Sequence, residues 1–272
     1  MSKTWFITGA SRGFGRLWSQ AALERGDRVA ATARDTATLK DLAEAYGDAV
    51  LPLQLDVTDR AACRETVQQA HDRFGRLDVL VNNAGYGHFG FAEELTEQEA
   101  RAQLETNFFG ALWTTQAAIP LMRAQGSGHL VHVSSLAGAV AFPGLSMYHA
   151  SKWALEGMAE SVAGEVAGFG IRTTIIEPGG YSTDWGADSA ARSEGIDLYD
   201  EVRELIAAGA HPSAQPDPSL TVPAVLAAVD ADEPPLRLLL GSFAFDMVVP
   251  IVERRVQDWR AWEDLSRSAS PS

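Results

Sequence analysis

The sequence predicts a single doubly wound α/β domain, a Rossmann-like arrangement with a central, mostly seven-stranded parallel sheet flanked by helices. Three observations carry this. Short β-rich runs alternate with longer helical patterns, the runs are apolar at nearly every position, and the first of them opens into a glycine-rich turn. Strands separated by helices form right-handed βαβ units and pair in parallel. Helices on both faces also remove the polar alternation of a half-exposed strand.

Taken in order, strands are expected at 4–8, 28–33, 50–55, 79–81, 130–133, 173–176 and 236–240. A helical pattern fills 147–168. No Pro/Gly/Ser linker divides residues 1–180, so one domain is expected over 1–262. The stretch 180–220 is rich in Gly, Ser, Asp and Pro, with Pro212, Pro216 and Pro218 close together. It interrupts the alternation where another helix would fall and reads as a mobile insert over the sheet, or else a solvated surface loop. The end, Ser266-Arg267-Ser268-Ala269-Ser270-Pro271-Ser272, offers little to bury, and 263–272 is expected to be a flexible tail.

A formal net charge of -14 disfavours a general nucleic-acid binder, which needs a basic face to displace the counterions around phosphates. Cys63 is the sole cysteine; it has no disulfide partner and no companions at metal-ligand spacing, so no metal is expected. The opening Lys3-Thr4-Trp5-Phe6-Ile7-Thr8 leaves no room for a secretory signal, and a cytoplasmic location is expected. The apolar stretch 243–252 is broken by Asp246 and Pro250 and has about half the length that spans a bilayer. It is expected to be a core or interface element, with no membrane association.

The turn after the first strand reads Thr8-Gly9-Ala10-Ser11-Arg12-Gly13-Phe14-Gly15 and opens a helix. Gly9 permits a tight turn, while Gly13 and Gly15 let the backbone approach a pyrophosphate and let helix and sheet pack closely. The helix N-terminus supplies amide donors for the phosphates, so Gly9, Ser11, Arg12, Gly13, Phe14 and Gly15 are candidate cofactor contacts. The second strand ends in Ala33-Arg34. Arg34 there, with Arg12 from the turn, forms a guanidinium pair suited to a 2′-phosphate, favouring NADP(H) over NAD(H). Asp35, about 20 residues beyond Gly15, is the competing ribose-binding acid of an NAD site.

Hydride transfer needs a carbonyl held against nicotinamide and a proton donor for the developing alkoxide. Tyr148 and Lys152 lie four apart at the start of the 147–168 helix and so share a face. The ammonium is expected to favour the phenolate and lower the tyrosine pKa. Ser135 ends the fifth strand, at the sheet edge where ligands collect.

These motifs together resemble the short-chain dehydrogenase/reductase family, whose signature is Thr-Gly-x-x-x-Gly-x-Gly, over about the first 185 residues. The resemblance implies catalysis by Ser135, Tyr148, Lys152 and Asn107. In it the serine, 13 positions before the tyrosine, binds the substrate oxygen, and Tyr148 and Lys152 also contact the cofactor. The backbone carbonyl of Asn107, in Glu105-Thr106-Asn107-Phe108-Phe109-Gly110, would hold a water that connects the lysine to solvent. Asp56-Val57 resembles the family's adenine contact, although Asp56 with Thr58-Asp59 is equally good as a helix N-cap. Asn82-Asn83-Ala84-Gly85 resembles the family's Asn-Asn-Ala-Gly, implying contacts from Asn83, Ala84 and Gly85 beside the adenine ribose. Pro178-Gly179 and Thr183 match the segment that meets the nicotinamide carboxamide, with Ile176 as a backbone contact; Pro178-Gly179 also reads as a plain turn.

The implied enzyme is an NADP(H)-dependent carbonyl reductase or alcohol dehydrogenase, assembled as a homodimer or homotetramer through the helices containing Asn107 and Tyr148. Phe142, Leu145, Tyr181 and Trp185 are expected to line an apolar substrate pocket, with His149 on the helix surface near its rim. A non-catalytic sensor of NADP redox state on the same fold is the main alternative, and a sugar-nucleotide epimerase or dehydratase a remoter one.

Overall fold

The computed structural model describes residues 2–183, 190–209 and 215–270. The first half runs β1 (Thr4–Ile7), α1 (Gly13–Glu24), β2 (Arg28–Ala33), α2 (Lys40–Tyr46), β3 (Val50–Gln54), α3 (Arg60–Phe74), β4 (Val79–Asn82), β5 (His88–Phe89), α4 (Glu97–Leu104) and α5 (Gly110–Gln125). It continues with β6 (Gly128–Val133), α6 (Leu136–Ala139), α7 (Ser146–Val166), β7 (Ile171–Pro178), β8 (Ala191–Arg192) and α8 (Asp200–Gly209). The chain closes with α9 (Val222–Asp230), β9 (Arg237–Leu240), α10 (Ser242–Ala261) and α11 (Glu263–Ser268). Seven strands make one parallel sheet in the order β3-β2-β1-β4-β6-β7-β9, while β5 and β8 form a separate two-stranded parallel pair. The strand order reverses between β1 and β4, which opens a crevice at their carboxyl ends.

Side chains alternate across this sheet with the two-residue period of a strand. Trp5, Ile7, Val29, Ala31, Val79, Val81, Val131 and Val133 face one core together with Trp18 of α1, Leu42 of α2 and Val225 of α9. Phe6, Ala30, Leu80 and Leu130 face the other, against Val67 of α3, Met122 of α5 and Val162 of α7. Both faces being buried is the reason the runs read as continuously apolar. Tryptophan polar atoms find partners in this packing: Trp5 Nε1 donates to Asp27 at 2.8 Å and Trp18 Nε1 to Thr221 at 2.9 Å.

Several sequence expectations differ from the structure. Strand β7 extends to Ile171–Pro178, beyond the expected 173–176, because it pairs with β6 from Ile171 to Ile176 and with β9 from Ile175 to Pro178. The described residues of the 180–220 segment contain β8, which pairs with β5 outside the seven-stranded sheet, and the ten-residue helix α8. Residues 263–268 of the expected tail are helical, as α11, and exposed.

Two buried histidines make the fold acid-sensitive. His129 and His132 lie in β6, and burial pushes both imidazoles down to about 4. The unfolded chain therefore takes up protons below about pH 6.5 that the folded chain refuses, and stability falls as pH drops from 6.5 toward 4. Buried Glu177, pushed up to about 7 by its desolvation, works in the opposite sense between pH 7 and 4.5 and offsets part of the loss. We predict a lower urea midpoint at pH 4.5 than at pH 7.5, with loss steepening below 4.5 where Glu177 no longer compensates. Equal midpoints would place the histidines in an environment that accepts the charge.

Candidate active site

A cleft of about 1260 Å³ runs along the carboxyl ends of the strands. That exceeds the roughly 300–1,000 Å³ of a typical single-ligand pocket and suits two ligands held end to end. In the order of the strands, one end is walled by Asp56 and Val57 after β3 and by Arg34 after β2, the middle by Gly9, Ser11, Arg12, Gly13 and Phe14 after β1 and by Asn83, Ala84 and Gly85 after β4. The other end is walled by Ser135, Tyr148, Lys152, Pro178, Gly179 and Thr183. Of the expected set only Gly15, Asn107 and Ile176 stand behind the wall. Ile176 O accepts from Ser134 N at 2.8 Å within the sheet.

The turn between β1 and α1 shows why glycine is needed at two of its positions. Gly9 has φ +65°, in the left-handed region that L side chains rarely adopt. A Cβ on Gly15 would lie 2.5 Å from both Gly9 O and Asn83 Nδ2, and a backbone oxygen cannot step aside. Asn83 ties this turn to the end of β4: its Nδ2 donates to Thr8 O at 2.8 Å and Gly9 O at 3.1 Å, and its N–H donates to Thr8 Oγ1 at 2.9 Å. Asn82, by contrast, turns inward to Thr115 and His132.

The acids near the first end divide their work. Asp35 caps a 3₁₀ turn, its carboxylate accepting from Ala37 N at 2.9 Å, and it is absent from the cleft wall. Arg34, one residue earlier, is exposed and on the wall beside Arg12. The α3 N-cap is Asp59, accepting from Ala61 N and Ala62 N. Asp56 instead makes a local turn, accepting from Thr58 N at 3.0 Å and Thr58 Oγ1 at 2.8 Å, and faces the cleft.

At the other end, Ser135 sits where β6 gives way to α6, and Ala137 N donates to its hydroxyl oxygen at 3.1 Å. The serine hydrogen is thereby directed away from that amide. Tyr148 and Lys152 occupy successive turns of α7, with Lys152 Nζ 5.8 Å from the Tyr148 ring centre. Lys152 Nζ donates to Val133 O at 2.8 Å, which fixes the lysine against the strand that delivers Ser135. Burial pushes the Lys152 ammonium down to about 8, while Glu156 one turn along works against the shift. The lowered tyrosine pKa expected from the lysine is not found. Burial pushes Tyr148 up to about 12, with the Ser135 hydroxyl acting the other way.

Asn107 occupies a π-helical turn, Glu105–Phe109, between α4 and α5. Its Oδ1 accepts from Tyr86 N at 3.1 Å, and its Nδ2 donates to Tyr86 O and Ser151 Oγ, each at 3.0 Å. The side chain thus pins the loop after β4 to α7, and the π turn marks a site where helical regularity is given up. His149 departs from expectation. It is buried, with Nδ1 2.9 Å from Ala137 O and Nε2 3.2 Å from Phe142 N. A carbonyl on one nitrogen and an amide N–H on the other select the neutral Nδ1–H tautomer, and the ring staples the loop after Ser135 to α7.

Phe142, Leu145 and Tyr181 line the substrate end as expected; Trp185 lies outside the described residues. Sequence reading missed Phe89, Leu205, Ile206, Phe243 and Met247 on the same wall. A signal existed for two pairs. Phe243 and Met247 are four apart on α10, and Asp200-Glu201-Val202-Arg203-Glu204-Leu205-Ile206 carries a helical apolar stripe. Among the described residues no cluster of three or more His, Cys, Asp or Glu could hold a metal, and no helix is long and apolar enough to cross a membrane.

A reversing parallel sheet with a glycine turn at its crevice defines a dinucleotide-binding α/β protein. Residues 3–194 match the short chain dehydrogenase family, and the chain belongs to that family as one of its oxidoreductases. It is 39% identical over 274 residues to oxidoreductase BOA17 of Botryotinia fuckeliana, covering 99% of this chain and 100% of that protein. A short-chain dehydrogenase from Streptomyces avermitilis superposes with a TM-score of 0.91 at 40% identity, over 99% of this chain and 98% of that one. A short chain dehydrogenase from Burkholderia cenocepacia, solved in complex with NADP, superposes with a TM-score of 0.74 at 27% identity, over 99% and 98% of the two chains.

Proposed function

We propose that the chain is an NADP(H)-dependent oxidoreductase moving a hydride between nicotinamide and a fairly apolar carbonyl or secondary alcohol, with Tyr148 as the proton donor or acceptor. One observation carries the reading: Ser135, Tyr148 and Lys152 wall one end of a cleft that runs past Arg12 at the carboxyl end of β1 to Arg34 at that of β2.

The residues fit the dinucleotide. Gly9, Gly13 and Gly15 leave backbone room for the pyrophosphate, the α1 N-terminus offers it unpaired amides, and Arg12 with Arg34 take the 2′-phosphate. Asp56 and Val57 serve the adenine, Asn83 to Gly85 its ribose, and Pro178, Gly179 and Thr183 the carboxamide. When bound, NADPH supplies the hydride. Ser135 orients the substrate oxygen through its hydroxyl, whose own oxygen accepts from Ala137 N. Tyr148 gives its proton to that oxygen as negative charge develops there. Lys152, as ammonium, stabilises the resulting phenolate and returns the proton, with Asn107 on the path to solvent. Phe142, Leu145 and Tyr181 exclude water and admit an apolar substrate. The same reading makes the chain a cytoplasmic homodimer or homotetramer.

The test uses NADPH dideuterated at the hydride-bearing nicotinamide carbon and a panel of aryl and alkyl ketones. Deuterium is expected on the carbinol carbon of the product. Tight NADPH binding with no transfer across the panel would favour a redox sensor on this fold.

A further inference from the structure

Helix α8 puts Leu205 and Ile206 on the wall of the substrate end, yet neither is buried: Leu205 is 72% exposed and Ile206 42%. Apolar burial alone therefore does not hold this roof in place. What holds it is a set of polar ties between residues 191–203 and the loop after β4. β8 pairs with β5, Ala191 N donating to Gly87 O at 2.9 Å and Ser193 N to Phe89 O at 3.0 Å. Ser193 Oγ then lies 2.9 Å from His88 Nε2.

The centre of the set is Glu94, whose carboxylate is 2% exposed. One oxygen accepts from Phe91 N at 2.8 Å; the other accepts from Ile196 N at 2.9 Å and from Arg203 Nη2. Arg203 also donates to Ile196 O at 3.1 Å and lies 5.4 Å over the Phe91 ring, which stacks on Tyr199. A buried carboxylate needs its partners, so the pair is not an ornamental surface bridge. Arg203 stands two residues before Leu205 on one helix, and fixing its guanidinium fixes the height of the apolar roof.

We propose that Glu94 and Arg203 are specificity-positioning residues: their pair holds Leu205 and Ile206 over the cleft, so that discrimination for an uncharged carbonyl compound with an apolar tail depends on it. The substrate assignment rests on the reductase reading above, whereas the clamp does not.

The test compares acetophenone with 4-butylacetophenone as substrates and butylbenzene as an inert tail probe, using the NADPH-loaded full chain. Arg203→Met is expected to lower the kcat/KM ratio of tailed to untailed ketone about tenfold, mainly through KM for the tailed one, with Arg203→Lys recovering part of it. A purely structural role would lower both ketones together and leave the ratio unmoved, which overturns the proposal. Leu205→Ala removes an exposed side chain that the fold does not need, and it should lower the same ratio with the clamp intact. Butylbenzene affinity by calorimetry, which needs no turnover, should weaken about tenfold in both variants. Failure of wild type to reduce either ketone would count against the reductase reading, while butylbenzene binding that is absent in wild type or equal in wild type and Arg203→Met would overturn the clamp.

Discussion

Tyr148→Phe should abolish ketone reduction while leaving the protein folded and able to bind NADPH. The ring is buried between α7 and the loop after Ser135, and phenylalanine fills the same space, so the packing survives. What disappears is the one proton placed beside Ser135 at the substrate end. Positioned general-acid catalysis is worth about 10²–10⁴-fold, so kcat is expected to fall about 10³-fold, near 4 kcal/mol of transition-state stabilisation. NADPH affinity should change by no more than the factor of about five that one lost hydrogen bond gives. Steady-state kinetics beside a fluorescence titration measures both. Near-normal turnover would remove Tyr148 from the chemistry, and a collapse of both quantities would mean the side chain was holding the site together.

The second large effect is on cofactor choice. Arg34 is exposed and on the cleft wall, while Asp35 spends its carboxylate on capping the next turn. Arg34→Asp removes a charge-assisted bond to the 2′-phosphate, worth about 1.5–3 kcal/mol, and adds repulsion against it. The kcat/KM ratio of NADPH to NADH should fall about 10²–10³-fold, with the fold intact because the side chain packs against nothing it needs. An unchanged ratio would place the 2′-phosphate somewhere other than the end of β2.

Much of this was legible in the sequence because backbone geometry demanded it. The glycine turn announces itself since Gly9 must take a positive φ and Gly15 must let Gly9 O pass, and no other residue does both. The sheet announces itself because two covered faces favour apolar side chains at most register positions. Residues whose role depends on a distant partner were not legible. His149 looks like a polar residue on a helix surface until Ala137 O and Phe142 N are seen on either side of its ring. Glu177 looks like the end of a strand until Arg237, 60 positions away, pairs with it. The roof over the substrate end was hidden for a similar reason. Its helix is short and amphipathic in a proline-rich stretch, and the ties that seat it run to Glu94 on another loop. The tyrosine's ionisation misled in a different way: four-residue spacing gave the partner, but only burial revealed that desolvation outweighs it.

The most direct test of the central claim is deuterium transfer from dideuterated NADPH to an apolar ketone, with wild-type protein and the Tyr148→Phe variant run side by side. Label on the carbinol carbon with wild type, and its loss in a variant that still binds NADPH, is the predicted result. Label transferred equally by both proteins would contradict the assignment of Tyr148, and NADPH bound by wild type with no label transferred to any ketone of the panel would contradict the reductase itself.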